Sequence, residues 1–448
     1  MNMWENFKDR VLFITGGSGF LGTTLVFRLV TQAPVAHIYI LCRGGLPRLI
    51  QKWNQWLPPH VVEKMANPRL VTAMEGDILE INMGLKSEHI SLLRLRTDIV
   101  IHSASSIALL QPLEKLVGPV INATEQLGQL ALGWDRLECF VYVSTAYANA
   151  FLYSRSDGTA DLKIKESIYP IIDQEHEENF DENKNLKEEF REVQDTGSSS
   201  AFRNGDFPWA YAYAKHLAER LLEGKFSSSG KRLLIIRPSA IEPAQSFPYR
   251  QFCFPMSTPH VICTAALALT FSRIVRISSR MKQPKSDSNI DYVPVDVVVD
   301  RLLAHLSYGT SGPVHAVAGT ARISFDESWN SAVAFRRFPY DPSLAWTSKP
   351  WNSKTLHPIA RIYCICGTSI TFTEDKTISL WQRMSNSERS NLQLFTDMDI
   401  LSHDHRDMRN DHIWNCIFHL TKRSRSGRFL AKVFYGSLSR GKSDSGLQ

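Results

Sequence analysis

The chain has few cysteines and no arrangement of them that suggests disulfides. Seven cysteines are scattered over 448 residues. An odd, dispersed set does not form a disulfide framework and is typical of a reducing compartment. Only Cys364 and Cys366 lie close together. Because no further cysteines or histidines follow at ligand spacing, this pair predicts two side chains on one face of a strand, and we expect no metal site.

Long hydrophobic runs are also missing. The run most worth testing as a membrane span, Val261–Phe271, is about half of the roughly 20 residues that a membrane helix needs, so it predicts a buried helix. The first ten residues lack the basic and then apolar pattern of a signal peptide. These absences favour a cytoplasmic location.

Excess charge is confined to one end of the chain. Residues 417–448 contain seven basic residues against Asp444, so this tail carries a net charge equal to the +6 of the whole chain. The remainder is near neutral, and we expect no nucleic-acid-binding surface. Because aromatic and aliphatic residues alternate with the cations, the tail could lie on an anionic membrane surface. A packed helix followed by a solvated end explains the same pattern.

What the sequence does have is the alternation of an α/β protein. Short apolar runs alternate with helical patterns over the first 145 residues, which predicts βαβ units and a doubly wound parallel sheet of the Rossmann type. The predicted strands are Val11–Thr15, His37–Cys42, Leu70–Glu75, Ile99–His102, Cys139–Ser144 and Leu233–Arg237. A further apolar stretch, Ile290–Val299, precedes a helix that ends near Leu306.

Two later regions differ from this in composition and patterning. Residues 153–200 are rich in acidic and polar types, which predicts an inserted loop with a helix, mobile at residues 197–200. After residue 320 the sequence becomes irregular and rich in tryptophan. We expect a Rossmann domain over residues 1–325 and a smaller, mainly helical domain over residues 326–448.

The strongest local motif is VLFITGGSGFLGTTL, beginning at Val11. Gly16, Gly19 and Gly22 give G-x-x-G-x-x-G between a predicted strand and a predicted helix. Missing Cβ atoms allow a tight turn and let backbone amides reach a pyrophosphate, which the helix N-terminus then stabilises. The motif therefore predicts a dinucleotide site.

The residue that follows the second strand indicates which dinucleotide is bound. About 20 residues past the glycine turn, where NAD-binding chains place a carboxylate for the ribose 2′-hydroxyl, this chain has Arg43 and no acidic residue. A guanidinium suits the 2′-phosphate of NADPH. NADPH is therefore favoured over NADH, although Arg43 could also be an exposed cation at a strand end.

A tyrosine and a lysine are placed for proton transfer. Tyr211 and Lys215 are four residues apart on a predicted helix and share one face, whereas Tyr213 faces elsewhere. An ammonium group nearby is expected to lower the phenol pKa, so that Tyr211 can protonate a carbonyl oxygen as hydride arrives. Ser144 and Thr145 end a predicted strand, where a hydroxyl can bond the same oxygen.

The motifs together resemble the extended short-chain dehydrogenase/reductase superfamily, and within it the fatty acyl-CoA reductase (male-sterility) family. They occur in family order over about 300 residues. They are TGGSGFLG (15–22), GDI (76–78), HSAS (102–105), STAYAN (144–149), ESIYP (166–170), YAYAK (211–215), RPSAI (237–241) and DYVPVDVVVD (291–300). Residues 378–420 are similar to the C-terminal male-sterility domain of that family.

The resemblance implies a role for individual residues. Thr145, Tyr211 and Lys215 would form the catalytic triad. The residues that would bind the cofactor are Thr15, Gly16, Gly19, Phe20, Leu21, Gly22, Arg43, Asp77, Ile78, Ala104, Ser144, Lys215, Pro238 and Ser239. Two departures are the serine at Ser105, where the family usually has alanine, and the long acidic segment.

We therefore expect an NADPH-dependent reductase of long-chain fatty acyl-CoA that yields a fatty aldehyde, a primary fatty alcohol or both. One alternative is a reductase whose thioester is held on a carrier protein. A second is an extended dehydrogenase of a nucleotide sugar or a sterol. A third is a redox-sensing protein that binds NADP without turnover, although Tyr211 and Lys215 are both present.

Overall fold

The computed structural model describes residues 3–109, 111–156, 162–171, 182–351, 353–362, 368–397 and 406–422, with residues 425, 428, 429 and 433. The strands in this part of the chain are β1 (Val11–Thr15), β2 (His37–Cys42), β3 (Val71–Glu75), β4 (Ile99–His102), β5 (Cys139–Val143), β6 (Lys163–Ile164), β7 (Arg232–Pro238), β8 (Ala240–Glu242), β9 (Ile274–Ser278), β10 (Asn289–Ile290), β11 (Tyr292–Pro294), β12 (Gly312–Ala316), β13 (Ile323–Ser324), β14 (Ser343–Thr347) and β15 (Thr371–Phe372).

The α-helices of the same part are α1 (Phe20–Gln32), α2 (Gly45–Trp53), α3 (Pro59–Met65), α4 (Ser87–Arg96), α5 (Leu113–Leu116), α6 (Ala123–Leu132), α7 (Phe151–Arg155), α8 (Glu182–Thr196), α9 (Ser200–Asn204), α10 (Ala210–Phe226), α11 (Pro259–Leu269), α12 (Pro284–Asp287), α13 (Val295–Ser307), α14 (Phe325–Ala334), α15 (Pro358–Ile362), α16 (Asp375–Arg383), α17 (Asn386–Ser390) and α18 (Arg406–Thr421).

The centre of the described structure is a sheet of seven strands in the order β3-β2-β1-β4-β5-β7-β12, all parallel. The strand order reverses between β1 and β4, where a doubly wound sheet opens a crevice at the carboxyl ends of its strands. The doubly wound fold predicted from the sequence is confirmed. Four further strand pairs, β8 with β11, β9 with β14, β6 with β15 and β10 with β13, lie outside the main sheet.

Both faces of the sheet are covered, as parallel strands require. Side chains alternate along each strand, so Leu12 and Ile14 join one core while Phe13 joins the other. The first core also contains apolar side chains of α1, α2, α3, α13 and α16, including Leu380, and Met384 just after α16. The second core is formed with α4, α6 and α10.

The segment after residue 371 is tied to the Rossmann sheet by buried charges on α13. The Asp300 carboxylate accepts two hydrogen bonds from Arg28 of α1, at 2.8 and 2.9 Å, and a third from the amide of Gln393. Arg301 donates to the carbonyl oxygen of Leu394 at 2.7 Å. The domain boundary near residue 325 stays a prediction.

One expectation about local structure was wrong. The apolar stretch Ile290–Val299 is split, because α13 already begins at Val295 after Pro294. The mobility of residues 197–200 stays a prediction, although this segment is packed against the protein. Ser199 is fully buried, caps α9 and lies 2.5 Å from the hydroxyl of Tyr213, so tertiary contacts hold a segment whose composition suggested mobility.

The ion pair between Arg28 and Asp300 provides a test of this anchoring. We expect Arg28→Met to lower the free energy of unfolding by about 3–5 kcal/mol, because it leaves the buried Asp300 carboxylate without its cation. Arg94→Met removes an exposed pair with Asp135 and should cost no more than about 1 kcal/mol. Urea unfolding of both variants gives the comparison. Equal losses would show that the buried pair contributes no more to stability than the exposed one.

Candidate active site

The glycine turn joins β1 to α1 at the edge where the sheet opens. Gly16 has a φ of +81°, and a Cβ there would lie 2.7 Å from the amide nitrogen of Ala104. A Cβ on Gly22 would lie 2.1 Å from the carbonyl oxygen of Gly16. No side chain caps α1 at Gly19, so its first amides can bind an anion. Phe20 and Leu21 line the same cleft. This turn fits a dinucleotide pyrophosphate.

Thr15 lies behind the turn and holds the neighbouring loop in place. Its hydroxyl is 2.7 Å from Nδ1 of His102 and accepts a hydrogen bond from the amide of Ala104 at 3.2 Å. Ser103 donates its hydroxyl to the carbonyl oxygen of Thr15 at 2.7 Å. Burial lowers the pKa of His102 to about 3, so the imidazole is neutral. The HSAS motif therefore fixes the distance between β1 and β4 at the cleft.

Two serines of that loop line the cleft, and neither was singled out as a cofactor residue from the sequence. They are Ser103 and Ser105, which flank the predicted Ala104. The hydroxyl of Ser105 is buried and has no hydrogen-bond partner in the described structure, as is also true of Ser144. Unpartnered buried hydroxyls are costly, so their presence here fits a site whose polar ligand supplies the missing bonds.

The predicted adenine end lies on the neighbouring strands. Arg43 follows β2 with its side chain 79% exposed, and its Nη1 atom is 3.7 Å from a carboxylate oxygen of Asp77, which follows β3. Ile78 packs against the second core. These three residues lie together, outside the enclosed part of the cleft. Gly44, with a φ of +76°, starts α2 beside Arg43.

The three predicted catalytic residues line one cleft with the glycine turn. Thr145 follows β5, and its hydroxyl donates to the carbonyl oxygen of Pro238 at 3.4 Å. Tyr211 and Lys215 lie on the first two turns of α10. The Lys215 ammonium donates to the carbonyl oxygen of Val143 at 2.9 Å and lies 5.9 Å from the centre of the Tyr211 ring.

Two further predicted residues lie at the end of β7. Pro238 and Ser239 both line the cleft, and the Ser239 hydroxyl donates to Asp291 at 2.6 Å. Just before them, the guanidinium of Arg237 forms a fully buried ion pair with Glu219 of α10. This pair joins the catalytic helix to the strand that carries the predicted nicotinamide site.

Burial controls the ionisation of the catalytic pair. It raises the pKa of Tyr211 above its ordinary value and lowers the pKa of Lys215 to about 7, against the opposing charge of Glu219. The expectation that Lys215 lowers the pKa of the Tyr211 phenol was therefore wrong for this structure. Spacing along the helix predicted the neighbours correctly but could not predict how deeply both would be buried.

Tyr213 has a separate structural role. It lies outside the cleft, and its hydroxyl donates to Glu189 of α8 at 2.6 Å besides its contact with Ser199. The second tyrosine of YAYAK thus fastens α10 to the inserted segment.

The cleft has a volume of about 330 Å³, and its lining is mainly apolar. The apolar side chains there are Ile107, Leu109, Tyr147, Trp209, Ile241, Pro259 and Ile262. Of these, Ile262 falls in the apolar run Val261–Phe271 that the sequence analysis singled out, whereas the others were not predicted as site residues. For Trp209 the available signal was its position two residues before Tyr211. A polar cavity of about 400 Å³ lies beside Arg10 and Glu138, at the opposite edge of the sheet, and contains none of the predicted site residues.

Residues 14–302, more than half of the chain, match the NAD-binding family described as male sterility protein. The chain belongs to this family. The match includes the glycine turn, the three predicted catalytic residues and most of α13. It agrees with a nicotinamide cofactor in the cleft.

Members of this family with curated names are similar over much of the chain. A putative fatty acyl-CoA reductase of Drosophila melanogaster, CG8306, is 27% identical over 315 residues, which cover 66% of this chain and 54% of the relative. Fatty acyl-CoA reductase 2 of Homo sapiens is 26% identical over 408 residues and covers 84% of this chain and 73% of the relative. The chain spans about half the length of several curated relatives.

A solved structure has the same fold. The terminal R domain from the myxalamid PKS-NRPS biosynthetic pathway superposes with a TM-score of 0.59 at 17% identity, covering 93% of this chain and 92% of that domain. At this identity the likeness concerns the fold.

Other sequence predictions concern regions that are only partly described. Cys364 and Cys366 lie outside the described residues, as does most of the basic tail. Among the described residues, no helix combines the length and the hydropathy needed to cross a membrane. Membrane contact through the tail stays a prediction, and so does the cytoplasmic location.

The lowered pKa of Lys215 predicts a pH dependence of stability. An unfolded lysine keeps a pKa near 10.4, so between about pH 7 and pH 10 the unfolded chain binds a proton that the folded chain has lost. The free energy of unfolding should rise with pH in this window, by at most about 1.4 kcal/mol per unit, and not below it. Urea unfolding of the wild type and of Lys215→Met, without added cofactor, isolates the contribution. Parallel pH curves would contradict it.

Proposed function

We propose that the protein is an NADPH-dependent reductase of long-chain acyl thioesters, with fatty acyl-CoA as the substrate. The observation that carries this proposal is the single cleft that contains the glycine turn, Thr145, Tyr211 and Lys215 together with an apolar wall. The curated names of the relatives support the acyl-CoA substrate.

Bound NADPH would supply hydride to the thioester carbonyl carbon. The hydroxyls of Tyr211 and Thr145 would donate hydrogen bonds to the carbonyl oxygen as it gains negative charge. Thr145 would exchange its 3.4 Å bond to the Pro238 carbonyl oxygen for this one. Because burial keeps the Tyr211 phenol protonated, Tyr211 can transfer a proton to that oxygen. The resulting hemithioacetal loses the thiol and leaves an aldehyde, and a second round of reduction would give the primary alcohol.

Lys215 and Ser144 would position the cofactor and the phenol. The Lys215 ammonium lies between the Val143 carbonyl oxygen and the rings of Tyr142 and Tyr211, which places its charge beside the reacting groups. The unpartnered hydroxyl of Ser144 fits a hydrogen bond to the nicotinamide ribose or amide. At the other end of the cofactor, Arg43 would bind the 2′-phosphate.

A carrier-bound thioester is the second candidate. The fold is shared with a reductase domain of a PKS-NRPS pathway, and Lys215 is the only cation among the described residues that line the cleft. The cleft therefore has groups for the acyl part and few for the phosphates of CoA. Turnover of free acyl-CoA without any partner protein distinguishes the two substrates.

Substitution of the proton donor tests the mechanism. With palmitoyl-CoA we expect the wild type to oxidise NADPH and to yield fatty aldehyde or alcohol, identified by gas chromatography, with free thiol. Tyr211→Phe should lower kcat by about 10²- to 10⁴-fold and leave NADPH binding nearly intact. Tyr213→Phe is the matched control on the same helix and should keep activity. Survival of activity within a few-fold in Tyr211→Phe would mean that another group donates the proton.

Cofactor preference is tested at Arg43. Arg43→Ala should weaken NADPH binding by about 10- to 150-fold, as expected for a lost charged hydrogen bond, and NADH binding far less. Arg69→Ala, an exposed arginine at the opposite end of β3, should change neither. Fluorescence titration with both nucleotides measures the dissociation constants. Equal weakening of NADPH and NADH would show that Arg43 does not bind the 2′-phosphate.

A further inference from the structure

The helix α11 begins inside the catalytic cleft and leads away from it. Pro259 and Ile262, on its first turn, line the cleft together with Tyr211 and Thr145. The eleven residues of α11 contain no acidic residue, lysine or arginine. A helix of this composition is ordinarily buried on all sides.

One side of α11 is nevertheless partly exposed. Its buried residues are His260, Val261, Thr264, Ala265, Leu267 and Ala268. The partly exposed residues of the helix are Pro259, Ile262, Cys263, Ala266 and Leu269. At about 100° per residue these five fall within an arc of about 120°, so they form one continuous stripe along the helix. We call this set the α11 stripe.

The opposite side of the helix is already covered. Val261, Ala265 and Ala268 belong to a hydrophobic cluster with Trp414 and Ile417 of α18. Ile262 and Leu269, along one edge of the α11 stripe, pack against the same cluster. The stripe therefore lies on a firm base, and it is apolar where a helix at the surface normally carries polar residues.

The volume of the cleft indicates which part of a substrate the α11 stripe could bind. At about 330 Å³ the cleft is at the lower end of ligand pockets, which span about 300–1,000 Å³. It has to receive the nicotinamide and the thioester group, so a long acyl chain must continue beyond it. The α11 stripe is a continuous apolar surface that starts at the cleft.

We propose that the acyl chain of the substrate lies along the α11 stripe, with its thioester end at Pro259 and its methyl end toward Leu269. This inference rests on the proposed function, because it assigns the acyl part of the same substrate. Ten residues of helix span about 15 Å, which suits a medium to long alkyl chain. Each methylene buried on the stripe should raise affinity about fourfold, so the stripe would select for chain length.

A bulky residue midway along the stripe tests the path of the chain. In Ala266→Trp the indole would occupy the distal half, and the ratio of kcat/KM for palmitoyl-CoA to that for octanoyl-CoA should fall at least tenfold. The matched control is Ala36→Trp, an exposed alanine before β2 that lies on the far edge of the sheet, and it should leave the ratio unchanged.

A labelling experiment covers the case in which Ala266→Trp does not fold. Cys263 is the one partly exposed cysteine among those described, and it lies on the stripe. In the wild type without NADPH, palmitoyl-CoA below its micelle concentration should slow iodoacetamide modification of Cys263 at least fivefold, as measured by peptide mass spectrometry. Free CoA, which has the same head group and no chain, should not slow it.

The outcomes separate this inference from the proposed function. If the wild type reduces palmitoyl-CoA, but Cys263 is modified at the same rate with and without it, the acyl path is wrong and the reductase function stands. An unchanged chain-length ratio in a folded Ala266→Trp variant has the same meaning. If the wild type reduces no acyl thioester, free or carrier-bound, both fail.

Discussion

The contact between Gly22 and the carbonyl oxygen of Gly16 is the constraint on which the cleft depends. A Cβ at 2.1 Å cannot be accommodated, so any other residue at Gly22 would push α1 away from β1. The N-terminus of α1 would then leave the edge where β1 and β4 diverge. A second close contact, between Gly16 and the loop at Ala104, fixes the distance between the end of β4 and the same turn. The two close contacts together shape the crevice before any ligand enters it.

The sequence predicted the parts of the molecule that local patterns determine. The six predicted strands of the main sheet are present with bounds that agree within one residue at either end, because buried parallel strands have continuous apolar runs between turn residues. The glycine turn and the spacing of Tyr211 and Lys215 could be predicted for the same reason, because each depends on residues that are close together in the sequence. A short apolar run is compatible with either a strand or a buried helix. For this reason Val295–Val299 was not recognised as the start of α13.

Features set by the tertiary structure could not be predicted. Trp209 and Ile107 lie far apart in sequence and share the cleft only because the start of α10 and the loop after β4 lie at the same edge of the sheet. The pKa of Lys215 depends on packing from several elements, and the helix spacing contains no information about it. The burial of Ser199 could not be predicted either. Its segment is polar and contains a glycine, and Ser199 is buried because it contacts Tyr213.

The helix α10, which carries Tyr211 and Lys215, is held in place at two points along its length, and this restricts how the protein can adapt to ligands. Near its start, Tyr213 is bonded to Ser199 and Glu189, and farther along Glu219 is paired with Arg237 inside the core. Sliding or tilting α10 would break a buried ion pair, which costs several kcal/mol. Induced fit therefore has to come from the facing wall, where the loop of Ile107 and the start of α11 border the cleft. Tyr211 therefore lies on the fixed side of the cleft, and the facing wall is the side that can adjust to a ligand.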